Sequence, residues 1–165
     1  MDGYMEHMVA RKLTGVDLFI RILLVVLSFI ITASFIILGP MMILLGGLMI
    51  FFTISIVFSR TYVEYEYLYC NRTISVDKIF AKSRRKKVGD YELDKVEIMA
   101  KADSDRLTDF NRRKVSVLDY SSKGNCGDDE SYVIYYEGNV KIVLDLPEKF
   151  VKMIQNNAPR KVFMD

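Results

Sequence analysis

Five positively charged side chains lie within the six residues 82–87. They are Lys82, Arg84, Arg85, Lys86 and Lys87. Near an anionic leaflet each lysine or arginine contributes about 1 kcal/mol of attraction, which falls off over a Debye length of about 8 Å. This basic run is therefore a candidate for binding anionic lipid headgroups. The alternative stays open that it is a solvated strand edge whose charges discourage aggregation and reinforce membrane topology.

The sequence offers no set of residues for catalysis. General acid-base or nucleophilic chemistry needs a base with an oriented partner, and the one histidine, His7, lies in the N-terminal tail. Phosphate-binding glycine loops and zinc-type clusters are also missing from the sequence. We therefore expect no enzymatic activity, no catalytic residue and no cofactor.

Two acidic groups and two cysteines have simpler interpretations than a metal or redox site. Asp103, Asp105 and Asp109, like Asp128-Asp129-Glu130, lack the ligand spacing and glycine turn of a calcium loop. Cys70 and Cys126 do not form a Cys-x-x-Cys pair, so they are expected to be structural thiols. The sequence predicts no metal site.

The elements that position the basic run begin with an apolar stretch. Residues 22–59 are 38 consecutive residues without a charged side chain or a histidine. As one helix this stretch measures about 57 Å, which exceeds a hydrocarbon core of about 30 Å. Gly39-Pro40 favours a break in its middle. The sequence therefore predicts two transmembrane helices, about 18–38 and 41–59; a single kinked helix is the less favoured alternative.

The distribution of basic residues predicts the orientation of this hairpin. Arg11, Lys12 and Arg21 precede it, and Arg60 and the basic run follow it, whereas the predicted turn carries no positive charge. Positive flanks stay in the cytosol. We therefore expect a two-pass protein of the cell membrane with both termini cytoplasmic: a tail at 1–21 and a soluble domain at 60–165.

Small residues indicate how the two helices pack. A turn centred on Gly39-Pro40 pairs Ala33 with Gly46 and Thr32 with Gly47. Small side chains allow helix backbones to approach closely in a bilayer. Packing within the hairpin is favoured over dimerisation.

The sequence of the soluble domain, residues 60–165, predicts a series of short antiparallel strands followed by one helix. Alternating patterns and turn residues favour strands, and Pro147 fits the first turn of a helix whose apolar face contains Phe150, Val151 and Ile154. The predicted strands are 61–69, 72–80, 84–92, 93–99, 114–120, 131–137 and 140–144. Six or seven strands and a C-terminal helix are expected to form a barrel.

This strand order, with Arg84-Arg85-Lys86-Lys87 before Leu93-x-x-Val96, resembles the bacterial pleckstrin-homology-like (PH-like) domains over residues 62–158. The whole chain resembles small two-helix membrane proteins of bacteria that carry such a domain. The resemblance implies a membrane α-hairpin plus an antiparallel PH-like barrel. Phosphoinositide-binding members of the superfamily carry several basic residues in the first hairpin loop, but here that loop offers only Arg72, so inositol-lipid recognition is not implied.

Two functions from different classes remain open. The first is a non-enzymatic, membrane-tethered binding or scaffold module at the cytoplasmic face, with the bilayer, anionic headgroups or a membrane protein as partner. The second is an accessory subunit that uses its transmembrane hairpin as the interface with a larger complex. The net charge of +2 is too small to imply nucleic acid as a partner.

Overall fold

The computed structural model describes residues 4–38, 41–124, 127 and 129–164. The described residues form two compact units. The helical unit comprises Leu13–Val63 and Phe80–Arg84. The β domain comprises the described residues of Met1–Lys12, Glu64–Ile79 and Arg85–Asp165. Along the chain, the two helices are therefore an insertion within the β domain and not an anchor that precedes it.

The helical unit contains α1 (Gly15–Leu38) and α2 (Met41–Thr61). Among the described residues one stretch, Gly15–Ala33, is long and apolar enough to cross a membrane, and the apolar stretch described in α2, Leu44–Ser55, is shorter. The predicted turn at Gly39-Pro40 lies outside the described residues. Large apolar side chains remain exposed on both helices; examples are Leu18, Phe19, Phe29, Leu44 and Phe51.

Three described hydroxyl groups within the helices donate to carbonyls of the preceding turn. Ser28 Oγ donates to the carbonyl of Leu24 and Thr32 Oγ1 to that of Ser28, both at 2.8 Å. Thr53 donates to the carbonyl of Met49 at 2.9 Å. Such bonds to the preceding turn let polar side chains sit in an apolar environment without unpaired donors.

The first sheet of the β domain has four strands in the order β1-β2-β3-β4. They are β1 (Met5–Ala10), β2 (Val63–Cys70), β3 (Thr73–Phe80) and β4 (Arg84–Glu92). β1 pairs antiparallel with β2, from Met5 opposite Tyr69 to Ala10 opposite Glu64. The strand that precedes the helices and the strand that follows them are therefore neighbours.

The sequence analysis does not predict β1 and instead predicts that residues 1–21 form a tail. The segment is six residues long, and both helices separate it in sequence from the strand with which it pairs. Short apolar patterns do not reveal such distant pairing. Because β1 comes first, the loop at Arg72 is the β2–β3 connection and not the first connection of the domain.

The second sheet also has four strands, in the order β5-β7-β8-β6. They are β5 (Val96–Lys101), β6 (Ser116–Asp119), β7 (Glu130–Tyr136) and β8 (Val140–Leu146). β7 is antiparallel to β5 and β8, whereas β6 runs parallel to β8. Each of the seven predicted strand regions contains an observed strand, β2 to β8, and β1 is the eighth. In the fourth region, residues 93–95 form a 3-10 turn before β5 begins.

The predicted antiparallel barrel is wrong in two respects. A closed barrel is not found among the described strands, which form two separate four-stranded sheets, and one strand pair is parallel. The reason lies in the connection between β5 and β6, which contains α3 (Thr108–Asn111). Its residues Leu107 and Phe110 pack on Ile98 and Tyr135 of the second sheet. The chain thus crosses the sheet before β6 begins, which permits a parallel pair.

The closing helix, α4 (Glu148–Asn157), is observed where the sequence predicts it. Phe150, Val151 and Ile154 are fully buried, as expected from their spacing. Tyr69 of β2 packs against Phe150 with ring centroids 6.4 Å apart. The mostly-β architecture with a C-terminal helix is therefore confirmed.

A buried carboxylate ties the N-terminal segment to the β domain. Asp145 accepts hydrogen bonds from the backbone N–H of Ser122 at 2.7 Å and from its hydroxyl at 2.5 Å. The carbonyl of Ser122 in turn accepts from the backbone N–H of Lys12 at 2.8 Å. Lys12 is the last residue before the helical unit, so this network positions the point where the chain leaves the β domain.

We predict that residues 60–165 alone are much less stable than a version that retains β1. Without β1, the hydrogen bonds between β1 and β2 are lost, and each of them contributes about 0.5–1.5 kcal/mol to stability. The burial of Val9, which contributes about 1.5–3 kcal/mol, is lost as well. Replacement of residues 13–61 by a short Gly-Ser linker should restore a cooperative fold, because Ala10 and Glu64 lie opposite each other. Urea denaturation of both versions measures the difference. Equal stabilities would show that β1 does not belong to the folded core.

Candidate lipid-binding surface

The basic run begins in the turn between β3 and β4. Ala81 and Lys82 have φ angles of 47° and 56°, which suits a tight hairpin connection. The backbone N–H of Ala81 donates to the carbonyl of Tyr62 at 2.8 Å. Lys82 Nζ lies 5.9 Å from the centre of the Tyr62 ring, so this cation is placed over an exposed aromatic side chain.

Two members of the basic run form ion pairs within the β domain. Arg85 pairs with the buried carboxylate of Glu66, and its Nε lies 3.6 Å from Asp77. Lys87 Nζ lies 2.8 Å from Asp90, which also accepts from the Ser75 hydroxyl at 2.6 Å. Hydrogen bonds from Lys87 and Ser75 hold the pKa of Asp90 below its usual range. These two cations therefore have structural partners.

Arg84 and Lys86 are exposed, and within the described part of the chain the side chain of neither forms an ion pair or a hydrogen bond. The basic run is thus not uniform. Its charge is partly neutralised at Arg85 and Lys87, whereas Lys82, Arg84 and Lys86 retain a charge without a carboxylate partner among the described residues.

Two further cations near Lys86 were missed as candidates from the sequence. Burial lowers the pKa of Lys78 on β3, and the positive charges of Arg11 and Lys86 lower it further. Arg11 also hydrogen bonds to Tyr65, whose ring lies 5.8 Å from Lys78 Nζ. Arg11 is distant in sequence from Lys78 and Lys86, and all three contribute to one positive region of the β domain. A search for contiguous motifs cannot find such a region.

The residues predicted to mediate helix packing are only partly brought together. Thr32 Oγ1 lies 3.4 Å from the carbonyl oxygen of Gly46, which is buried. Ala33 and Gly47 are exposed, and a methyl group added at Gly47 would meet no atom within 4 Å. The contact therefore joins Thr32 to Gly46, one position away from the expected pairs.

Most of the other residues considered from the sequence have structural partners or are exposed. His7 lies in β1, and its Nε2 is 2.6 Å from Asp129 Oδ2. Glu130 pairs with Lys101 at 2.8 Å. Asp103, Asp105 and Asp109 are exposed. Cys70 is a free thiol, and Cys126 and Asp128 lie outside the described residues. In the part of the chain that the structure describes, no group of three or more His, Cys, Asp or Glu side chains is arranged to hold a metal ion.

Two largely antiparallel sheets packed with a C-terminal helix define the β domain as PH-like. The chain belongs to the family described as "Bacterial PH-like domain (DUF6106)", whose model matches residues 1–164. The match includes β1, both helices and the β domain. No curated protein and no solved structure matches the chain.

Membership of this family indicates a binding or scaffold module. PH-like domains are generally non-catalytic, and many bind lipid headgroups. One helix is also long and apolar enough to span a membrane. For both reasons, the positive region of the β domain is the first candidate for a lipid-binding site.

We predict that Glu66 makes the stability of the β domain depend on pH. Burial and the neighbouring Glu6 carboxyl raise the pKa of Glu66, and the positive charge of Arg85 opposes that shift. At pH values between the usual glutamate pKa and the raised pKa, the folded state therefore keeps a proton that the unfolded state has released. This stabilisation is present at pH below the usual glutamate pKa and is lost as the pH rises through the raised pKa.

The change Glu66→Gln removes this titration. The free energy of unfolding of the variant, relative to the native chain, should therefore rise as the pH increases above the usual glutamate range. Urea denaturation at several pH values measures this, and Glu64→Gln on the same strand is the matched control. A relative loss of stability with rising pH would mean that the Arg85 pair dominates and that the pKa of Glu66 is lowered.

Proposed function

We propose that the chain is a two-pass membrane protein whose PH-like domain acts as a binding module at the cytoplasmic leaflet. The observation that carries this proposal is the pairing of β1 with β2 on either side of the helical insertion. Strands of one sheet must lie on the same side of a bilayer. If the inserted helices cross it, they cross it an even number of times.

The exposed apolar surface of the helices supports membrane insertion. Phe29 is 72% exposed and Leu44 is 78% exposed, and such residues occur along both helices. Monomeric soluble proteins rarely expose contiguous apolar patches above a few hundred Å². α1 has 24 residues and α2 has 21, so both reach the length of about 20 residues that a bilayer requires.

The positions of the basic residues support contact between the domain and anionic lipid. The chain passes between the β domain and the helical unit near residues 12, 63, 79 and 84. Arg11 and Lys12 lie at the first of these points, and Lys78 and the basic run lie at the last two. When the helices are inserted, these residues are close along the chain to the headgroups. Their charges and the positive-inside preference both favour a cytoplasmic domain.

A role as an accessory subunit is the second candidate. Ala33 and Gly47 are exposed, whereas Thr32 and Gly46 contact each other within the helix pair. Small exposed residues would let a helix of another membrane protein approach closely. The two candidates differ in which part of the chain binds the partner: the β domain in the first and the helices in the second.

We predict that both termini are cytoplasmic. In a background with Cys70 and Cys126 changed to serine, cysteine introduced at Gly39 should react in intact cells with an impermeant thiol reagent. Cysteine introduced at Asp2 or Asp165 should react only after the cells are opened. Labelling of either terminus in intact cells would contradict the topology.

We also predict that the basic run binds anionic lipid. The linker-replaced β domain, once its fold is verified, should bind vesicles with anionic phosphatidylglycerol and hardly bind phosphatidylcholine vesicles. Binding should weaken as salt rises, because the Debye length falls from about 10 Å at 0.1 M to about 3 Å at 1 M. Cosedimentation measures the bound fraction.

A charge-matched pair of variants separates a specific surface from net charge. Changing Lys82, Arg84, Arg85, Lys86 and Lys87 to glutamine should abolish vesicle binding. The control changes five exposed cations elsewhere to glutamine; they are Arg112, Lys114, Lys123, Lys149 and Lys152. The control should retain most of the binding. Equal losses in the two variants would mean that only net charge matters, and no loss in the first would mean that the run is a solvated strand edge.

A further inference from the structure

A second basic site lies at the other end of β3. Arg72, Arg160 and Lys161, together with Ala158 and Pro159, line an open cavity of about 270 Å³. The eight residues of β3 span about 26 Å at about 3.3 Å per residue. The cavity is therefore several Debye lengths from the turn that carries Lys82, and the two basic sites act independently.

We propose that this cavity binds a phosphate group. Three cationic residues line it, and they come from two distant parts of the chain, the β2–β3 turn and the segment that follows α4. Guanidinium groups match the oxygens of phosphate with two parallel hydrogen bonds, and a lysine adds a compact charge. The volume lies just below the range of about 300–1,000 Å³ that is typical of pockets for drug-sized ligands, so a phosphate group fits inside it.

The walls of the cavity are held in place before any ligand binds. Arg72 Nη1 donates to the carbonyl of Asn157 at 3.1 Å, and Asn157 Nδ2 donates to the Tyr69 hydroxyl at 2.7 Å. These contacts join the β2–β3 turn to the end of α4. A preformed site loses little conformational entropy when a ligand binds.

The segment that carries Arg160 and Lys161 is equally restrained. The backbone N–H of Lys161 donates to the carbonyl of Ala158 at 3.1 Å, which closes a turn with Pro159 at its second position. The carbonyl of Lys161 accepts from the backbone N–H of Met99 on β5 at 2.8 Å. The turn is thus fastened to the second sheet.

Two of the three cations also have structural contacts. Arg72 Nη2 lies 2.7 Å from Asp94, and Lys161 Nζ donates to the carbonyls of Leu93 and Asp94. Both side chains keep further N–H groups. Arg160 is exposed, and among the described residues its side chain has no ion pair or hydrogen bond. Arg72 and Lys161 therefore support the fold, whereas no structural contact in the described part of the chain explains the positive charge of Arg160. Substitution of Arg160 is the most direct test of phosphate binding.

The test uses the full chain in neutral detergent micelles, with backbone amide resonances followed by NMR. Inorganic phosphate is one probe, and dihexanoyl phosphatidic acid below its micelle concentration is the other. Saturable shifts at Arg72, Arg160 and Lys161 are expected. Tighter binding of phosphatidic acid would assign the site to a lipid headgroup, and equal or tighter binding of phosphate would assign it to a soluble phosphate.

Variants make the result specific. Arg160→Gln should weaken binding about tenfold or more, and Arg160→Lys should weaken it less because the charge is retained. Lys149→Gln is the matched control on α4 and should leave the affinity unchanged, as should glutamine substitution of the basic run. The proposal is overturned if neither probe gives saturable shifts, or if Arg160→Gln binds as tightly as the native chain. Vesicle binding through the basic run is measured separately, so either site can fail alone.

Discussion

The pairing of β1 with β2 is the interaction on which the rest of the structure depends. It joins residues that lie on opposite sides of the helical insertion, from Met5 opposite Tyr69 to Ala10 opposite Glu64. The first sheet is complete only when the chain returns to β1 after α2. The Asp145–Ser122 network strengthens the same constraint because the carbonyl of Ser122 holds the backbone of Lys12. Folding of the β domain and insertion of the helices are therefore coupled events in the proposed arrangement.

This constraint gives the two ends of β3 different environments. One end leads into the turn with Lys82, which lies between the passages near residues 79 and 84. This end carries positive charges from β3, β4 and the N-terminal segment. The other end leads into the turn with Arg72, which faces the segment after α4. A domain with a positive region at one end and a basic cavity at the other has the features of an adaptor: we propose that the first contacts the leaflet and that the second binds a phosphate-bearing ligand.

Local patterns predicted most of the elements, and distant contacts explain what was missed. The strands and α4 follow from alternating and helical spacing of apolar residues, as Phe150, Val151 and Ile154 illustrate. β1, the crossing before β6 and the cavity at Arg160 depend on segments that meet only in the folded chain. The basic run can be recognised in the sequence because it is contiguous. Its ion pairs cannot, because Glu66 lies on β2 and the pairing of Lys87 with Asp90, three residues further along β4, depends on the side-chain geometry of the folded strand.

Disulfide trapping of the β1–β2 register tests the central claim most directly. In a full-length chain with Cys70 and Cys126 changed to serine, cysteines at Ala10 and Glu64, which lie opposite each other, should cross-link rapidly on mild oxidation. Cysteines at Ala10 and Leu68 are the matched control: four residues along β2 add about 13 Å, which exceeds the reach of a disulfide. Efficient cross-linking of the first pair alone would confirm that the strands before and after the helices form one sheet. Equal cross-linking of both pairs, or of neither, would contradict it.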